Sequence, residues 1–224
     1  MKQQTSLVLT RFMIAMGVVV GMHFHGHTLG PSPARAAESA DVYVSVSLVG
    51  GFPENRGLNL GGQDIKKLTL HNSMGGGLKV GIFPEFTRRI VGIELEYFGA
   101  TGRLSALTFG SNGRAEATSG LTVLNSMTNI VVRKPGGDFH PYVGLGIGYS
   151  SGILHGANFP GRANQDFDST AAFAYQVMAG FQYNFSDRTF VFSEYKRLTA
   201  NFHWSDVALD YHAHYVLAGI GWNF

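Results

Sequence analysis

Apolar and polar residues alternate with a period of two along the last ten residues of the chain, 215–224. This period places the two sets of side chains on opposite faces of one β-strand. One face is mostly small or polar, whereas the other is an unbroken apolar row: Val216, Ala218, Ile220, Trp222 and Phe224. Such a strand is typical of the wall of a membrane β-barrel, in which every backbone polar group is paired with a neighbouring strand.

The same alternation recurs in seven earlier segments, and together they predict eight strands. The predicted strands are 42–49, 73–83, 90–99, 121–133, 141–149, 172–183, 189–198 and 215–224. Only the fourth has a blurred pattern, and there we place Asn125 and Asn129 on the inner face. Their lengths are close to the roughly 9–11 residues of a tilted membrane-spanning strand.

The predicted connections alternate between short and long. Short turns rich in Pro, Gly, Asn and Asp fall at 84–87, 134–138 and 184–187, whereas the long connections are 50–72, 100–120, 150–171 and 199–210. Short turns on one side and long loops on the other, with an even strand number, indicate an outer-membrane barrel. We therefore predict an all-β, eight-stranded antiparallel up-and-down transmembrane β-barrel, with short periplasmic turns and four long extracellular loops.

The first 36 residues have the features of a cleaved signal peptide. Lys2 and Arg11 precede an apolar run at 12–22, and a small-x-small cleavage signal follows at 34–36. The run is too short to span a bilayer as a helix. We predict a signal peptide at 1–36 and one barrel domain at 37–224.

Composition and charge argue against nucleic acid as a partner. The chain has 17 basic and 15 acidic residues, but three of the basic ones lie in the signal segment. No Lys/Arg-rich run remains in the mature chain, so nothing favours nucleic acid. Charged residues make up 14%, against about 25% in soluble domains.

Three segments carry a resemblance to a known family. They are the terminal row ending at Phe224, the run at 141–149, and Glu94-x-Glu96-Tyr97. The chain resembles the small outer-membrane β-barrels of Gram-negative bacteria, such as the OmpA transmembrane domain, OmpX and the opacity proteins. The resemblance implies a protein of the cell outer membrane, in contact with lipopolysaccharide, whose last strand, ending at Phe224, is read by the outer-membrane insertion machinery. Separately, we predict a monomer without cofactor or metal.

Polar residues at inward positions are the first candidates for chemistry. An eight-stranded barrel is just wide enough for side chains to fill. We expect a structural polar plug in the lumen; the alternatives are a narrow ion path or a general-acid site on Glu94 and Glu96. The inward polar set is Lys79, Glu94, Glu96, Asn125, Asn129, Gln176, Gln182, Glu194 and Lys196.

Histidines supply the other candidates. His212-x-His214 has the spacing of a metal-binding pair, but no third ligand is apparent. One family of eight-stranded barrels removes acyl chains from lipid A with an outward His-x-Ser pair and a Glu. His71-x-Ser73 and His203-x-Ser205 match the pair, but no Glu can be assigned to either. We predict no catalytic, cofactor-binding or metal-binding residue.

The predicted loops are the best place for function. They contain aromatic and basic residues, including Phe52, Arg103, Phe167, Phe202 and Trp204. We expect a structural or surface-interaction role, by adhesion or ligand recognition, for an integral outer-membrane protein. The alternatives are an enzyme that modifies lipid A and a small passive porin-like channel.

Overall fold

The computed structural model describes the predicted barrel domain almost completely. The described residues are 40–54, 58–60, 63–65, 68–110, 113–157, 165–204 and 207–224. The predicted signal peptide lies outside them. No helix in this part of the chain has the length and apolar character that a bilayer crossing requires.

Within the described residues, eight long strands and three short ones make up a single antiparallel sheet. The long strands are β1 (Ala40–Pro53), β5 (Ser73–Pro84), β6 (Val91–Gly110), β7 (Gly113–Arg133), β8 (Phe139–Ala157), β9 (Gln165–Asn184), β10 (Thr189–His203) and β11 (Val207–Asn223). The short strands are β2 (Leu58–Leu60), β3 (Gln63–Ile65) and β4 (Leu68–Leu70).

The first and last long strands close the sheet into a barrel. Val44 of β1 lies opposite Val80 of β5 on one side and Trp222 of β11 on the other. Each other long strand pairs with its neighbours in sequence. Closure leaves the eight long strands without a free edge, as a membrane requires. The predicted fold class is confirmed.

The side chains face the way that the alternation predicts. In β11, Leu217 is fully buried, whereas its neighbour Val216 is exposed on the outer wall. The blurred fourth segment follows the same rule, because Asn125 and Asn129 are fully buried and Ile130 is exposed. All nine predicted inward polar side chains are buried. The apolar rows therefore form the outer wall.

Short turns join the strands at one end of the barrel, which we call the turn end. A 3₁₀-helix at Glu85–Thr87 joins β5 to β6, and residues 134–138 and 185–188 form the other two turns. Arg88 and Arg89 adopt the left-handed backbone conformation, with φ of 55° and 58°. Chain residues 40 and 223 lie at this end too, because Tyr43 is paired with Asn223.

At the opposite hairpin end, the strands extend much further than predicted. β6 and β7 contain 20 and 21 residues and remain paired as far as Gly110 and Gly113. The prediction of loops at 100–120, 150–171 and 199–210 is thus wrong in extent, because most of these residues continue the strands. The remaining long connection, 50–72, is the first along the chain and contains the end of β1 and the short strands β2, β3 and β4.

The interior is polar in its middle section and has buried apolar side chains on both sides, with Phe83, Val131 and Phe190 towards the turn end. Its hairpin half contains buried apolar and aromatic side chains, including Leu121, Leu198 and Tyr215. Phe202 and Trp204 belong to this group, although the sequence placed them in a surface loop. That placement is wrong, because β10 continues to His203 and turns Phe202 inward.

Candidate functional site

The middle of the lumen contains a buried cluster of five charged side chains from three strands. Lys79 Nζ donates a 2.8 Å hydrogen bond to Oε2 of Glu194, whose other oxygen lies 2.8 Å from Nζ of Lys196. Lys196 also donates to Glu96, and Lys79 Nζ lies 3.5 Å from Oε2 of Glu94. Each carboxylate is therefore within 4 Å of an ammonium group.

Neutral groups extend this cluster across the lumen. The Tyr142 hydroxyl donates to Glu194 at 2.8 Å, and the Tyr43 hydroxyl donates to Glu94. Gln176 donates to Oδ1 of Asn129 at 2.7 Å, and both amides donate to Oε2 of Glu96 at 3.2 Å. We call the nine residues Tyr43, Lys79, Glu94, Glu96, Asn129, Tyr142, Gln176, Glu194 and Lys196 the lumen network.

Glycines on the inner wall make room for the lumen network. A Cβ at Gly146 would lie 2.0 Å from Oδ1 of Asn129 and 2.9 Å from Cγ of Gln176. A Cβ at Gly81 would meet the Tyr43 ring at 2.4 Å. The alternation of glycine with large outward residues in β8 is thus explained by packing inside the barrel.

Little space remains between the network and the barrel wall. A small cavity of about 10 Å³ is lined by Tyr43, Ser45, Lys79 and Glu94, among others. This volume is close to that of one water-sized probe. This cavity therefore has room for about one water molecule.

The turn end opens into a wide cavity of about 1230 Å³. Asp41 lies in its lining and pairs with Arg133, and with Arg89 at 3.3 Å. The Arg133 guanidinium also stacks on the Phe83 ring at 3.7 Å. We call this cavity the vestibule; Arg133 and Gln182 line both the vestibule and the small cavity above it.

A second polar group lies on the outer wall where His214 is paired with Arg197, next to Lys196 of the lumen network. The Tyr195 hydroxyl lies 2.5 Å from Nδ1 of His214, and Nε2 of His214 lies 3.0 Å from Oε1 of Glu54. Because an ionised carboxylate only accepts hydrogen bonds, Nε2 carries a proton; in the neutral imidazole, Nδ1 then accepts from the Tyr195 hydroxyl. Arg197 approaches the same carboxylate at 3.3 Å. We call Glu54, His214 and Tyr195 the wall relay.

The structure describes two of the three histidine pairs that the sequence raised as alternatives, His71-x-Ser73 and His212-x-His214. His71 lies beside Ser105 at 3.4 Å, whereas Ser73 is buried and donates to Gly51. His212 contacts Thr199 and not the relay, and no metal-binding group of three His, Cys, Asp or Glu occurs among the described residues. Ser205 lies outside those residues. The relay was missed because Glu54 is 160 positions from His214.

A closed antiparallel barrel with an apolar outer wall, a polar mid-lumen and short turns at one end defines an integral outer-membrane β-barrel protein. The chain belongs to the outer membrane protein beta-barrel domain family, whose model matches residues 27–224. It is therefore a protein of the cell outer membrane, with its short turns in the periplasm and its long hairpins outside.

Solved structures with the same fold have very different sequences. Neisserial surface protein A superposes with a TM-score of 0.51 at 11% identity, covering 82% of this chain and 97% of its own. Outer membrane protein OprG from Pseudomonas aeruginosa gives 0.55 at 14% identity, covering 83% and 96%. Curated proteins provide no significant sequence match. Identities this low show the fold alone.

Proposed function

We propose that this protein serves envelope structure or surface interaction through its extracellular hairpins, and that its lumen is a polar plug. The observation that supports the proposal is the lumen network, beside which a cavity of about 10 Å³ remains. A hydrated ion needs a continuous water-filled path, which a porin provides with a much wider barrel. The surface that remains available for interaction is therefore the outer one, in particular the extracellular hairpins.

The hairpins supply the surface for such a role. About 9–11 residues cross the bilayer in a tilted strand, and β6 and β7 have roughly twice that number. At a tilt of about 45°, 21 residues rise about 50 Å, against an apolar band of about 25 Å. The β6–β7 hairpin is thus long enough to project from the membrane.

The β6–β7 hairpin can be shortened without a change of register. Ser105 is paired with Thr118, so replacing residues 105–118 with Asn-Gly joins strands that are already adjacent. We expect the variant to keep the heat-modifiable gel mobility of a folded barrel, and cells bearing it to lose attachment to immobilised extracellular matrix proteins. Attachment equal to that of the intact protein would contradict a role for this hairpin.

One observation favours a second candidate, an enzyme that modifies lipid A. The wall relay orders a carboxylate, an imidazole and a hydroxyl as an acyl-transfer relay does, on the outer wall of the barrel. An ester of an outer-leaflet lipid could reach it from the membrane.

Mass spectrometry of lipid A tests this candidate. Cells that express the protein should lose acyl chains from lipid A, and Tyr195→Phe or Glu54→Gln should restore them. His212→Asn is the matched control, because His212 lies on the same wall outside the relay. An acyl pattern that does not change with expression removes the candidate.

A further inference from the structure

The charged side chains of the lumen network do not balance. Three carboxylates, from Glu94, Glu96 and Glu194, face two ammonium groups, from Lys79 and Lys196. Each of the five residues is at most 5% exposed. Buried charges in proteins are paired or neutralised, because a low-dielectric interior cannot solvate them. The cluster therefore needs one further positive charge.

The contacts locate this deficit at Glu94. Glu194 is approached at 2.8 Å by both ammonium groups, and Glu96 accepts from Lys196 and two amides. For Glu94, Oε1 accepts from the Tyr43 hydroxyl. Its Oε2 has no hydrogen-bond partner among the described residues, and Lys79 is 3.5 Å away.

A second unpartnered oxygen lies at the same place. Ser45 is 3% exposed, its Oγ has no hydrogen-bond partner in the described part of the chain, and it lines the same small cavity as Glu94. A hydroxyl oxygen can accept a hydrogen bond from a protonated carboxyl group, directly or through one water. The cavity thus combines the carboxylate that lacks a positive partner with an available acceptor.

Arg133, which also lines this cavity, does not supply the missing positive charge. Its guanidinium is bonded to Asp41 and stacked on Phe83. Arg133 instead marks the connection to the periplasm, since it lines the vestibule as well. On the hairpin side, Phe98 and Leu198 are buried and apolar, and the buried Ser150 donates a hydrogen bond to Asn125.

We propose that the lumen binds one proton at Oε2 of Glu94, taken up from the periplasm through the vestibule. A metal cation fits less well, because hard cations take about six oxygen ligands. Here the oxygen atoms at the cavity come from one carboxylate, the hydroxyls of Ser45, Tyr43 and Tyr142 and the Gln182 amide. The cationic side chains of Lys79 and Arg133 also line it and would repel a second cation. The proton makes the buried cluster neutral. This site goes beyond the proposed surface role and does not depend on it.

Infrared spectroscopy of the folded wild-type protein tests the proposal. At neutral pH, we expect a carbonyl stretching band of a protonated carboxylic acid, which Glu94→Gln abolishes and the exposed control Glu85→Gln retains. A wild-type spectrum without the band overturns the proposal, and this measurement needs no variant. A band that survives in a folded Glu94→Gln protein also overturns it, because the proton then lies elsewhere.

Unfolding equilibria in urea give an independent readout. Glutamine mimics a protonated Glu94, so Glu94→Gln should leave the folded-to-unfolded ratio unchanged within about twofold at neutral pH. Glu194→Gln removes the partner of two ammonium groups and should lower that ratio by roughly tenfold or more. Equal losses in both variants overturn the proposal. The proposal is also overturned if the stability of the wild-type protein rises with sodium concentration at constant pH and ionic strength. In that case a metal cation supplies the missing positive charge at Glu94.

Discussion

At the scale of single residues, glycine on the inner wall is as important as the charges that it accommodates. Gly146→Ala should destabilise the barrel by about 2 kcal/mol, because the new Cβ displaces Asn129 and Gln176 from Glu96. Urea unfolding in detergent measures this change.

A matched variant on the outer wall controls for the loss of glycine flexibility. Gly76 points outward. The nearest atom to a Cβ added there, among the described residues, would be the Ser47 carbonyl oxygen at 3.4 Å. Gly76→Ala should therefore change stability by less than about 0.5 kcal/mol. If both alanines cost the same, packing against the lumen network does not explain Gly146.

The inward polar residues could be predicted from the sequence, but their partners could not. Alternation alone places Glu94, Glu96 and Glu194 inside, and all three are buried there. The Lys79–Glu194 contact depends on how strands 115 positions apart face each other across the lumen. The same limit hid the hydroxyl of Tyr142, which meets Glu194.

At the scale of elements, the alternation marks the part of each strand that touches lipid. In β6 it predicted an end near residue 99, whereas the strand continues to Gly110. Beyond the apolar band, outward side chains no longer need to be apolar, although the backbone pairing of β6 with β7 continues. The sequence therefore predicted the membrane-spanning lengths and underestimated the extracellular hairpins.

The last strand, β11, has two structural roles. Its lower part pairs with both β1 and β10, so Trp222 lies opposite Val44 and Thr189. Its upper part pairs with the short strand β2. The Phe224 amide donates to the Val42 carbonyl at 2.9 Å and extends the closure to the final residue. The clear alternation of apolar and polar residues in β11 accompanies its position where the last strand closes the barrel against β1.

At the scale of the whole molecule, the class of protein follows from the sequence, but its task does not. A closed barrel is the only way for eight such strands to satisfy their backbone in lipid. The wall relay brings Glu54 of the first connection to His214 of the last strand, and the vestibule collects side chains from several turns. Both depend on closure, which no local pattern encodes.

Conductance of the purified protein in planar bilayers tests the central claim, a plugged lumen, most directly. We expect no single-channel steps at neutral pH from the wild type. Glu194→Gln, which frees two ammonium groups, is the variant expected to produce brief openings. Stable, ohmic conductance of the wild-type barrel would contradict the plug and the surface role that follows from it.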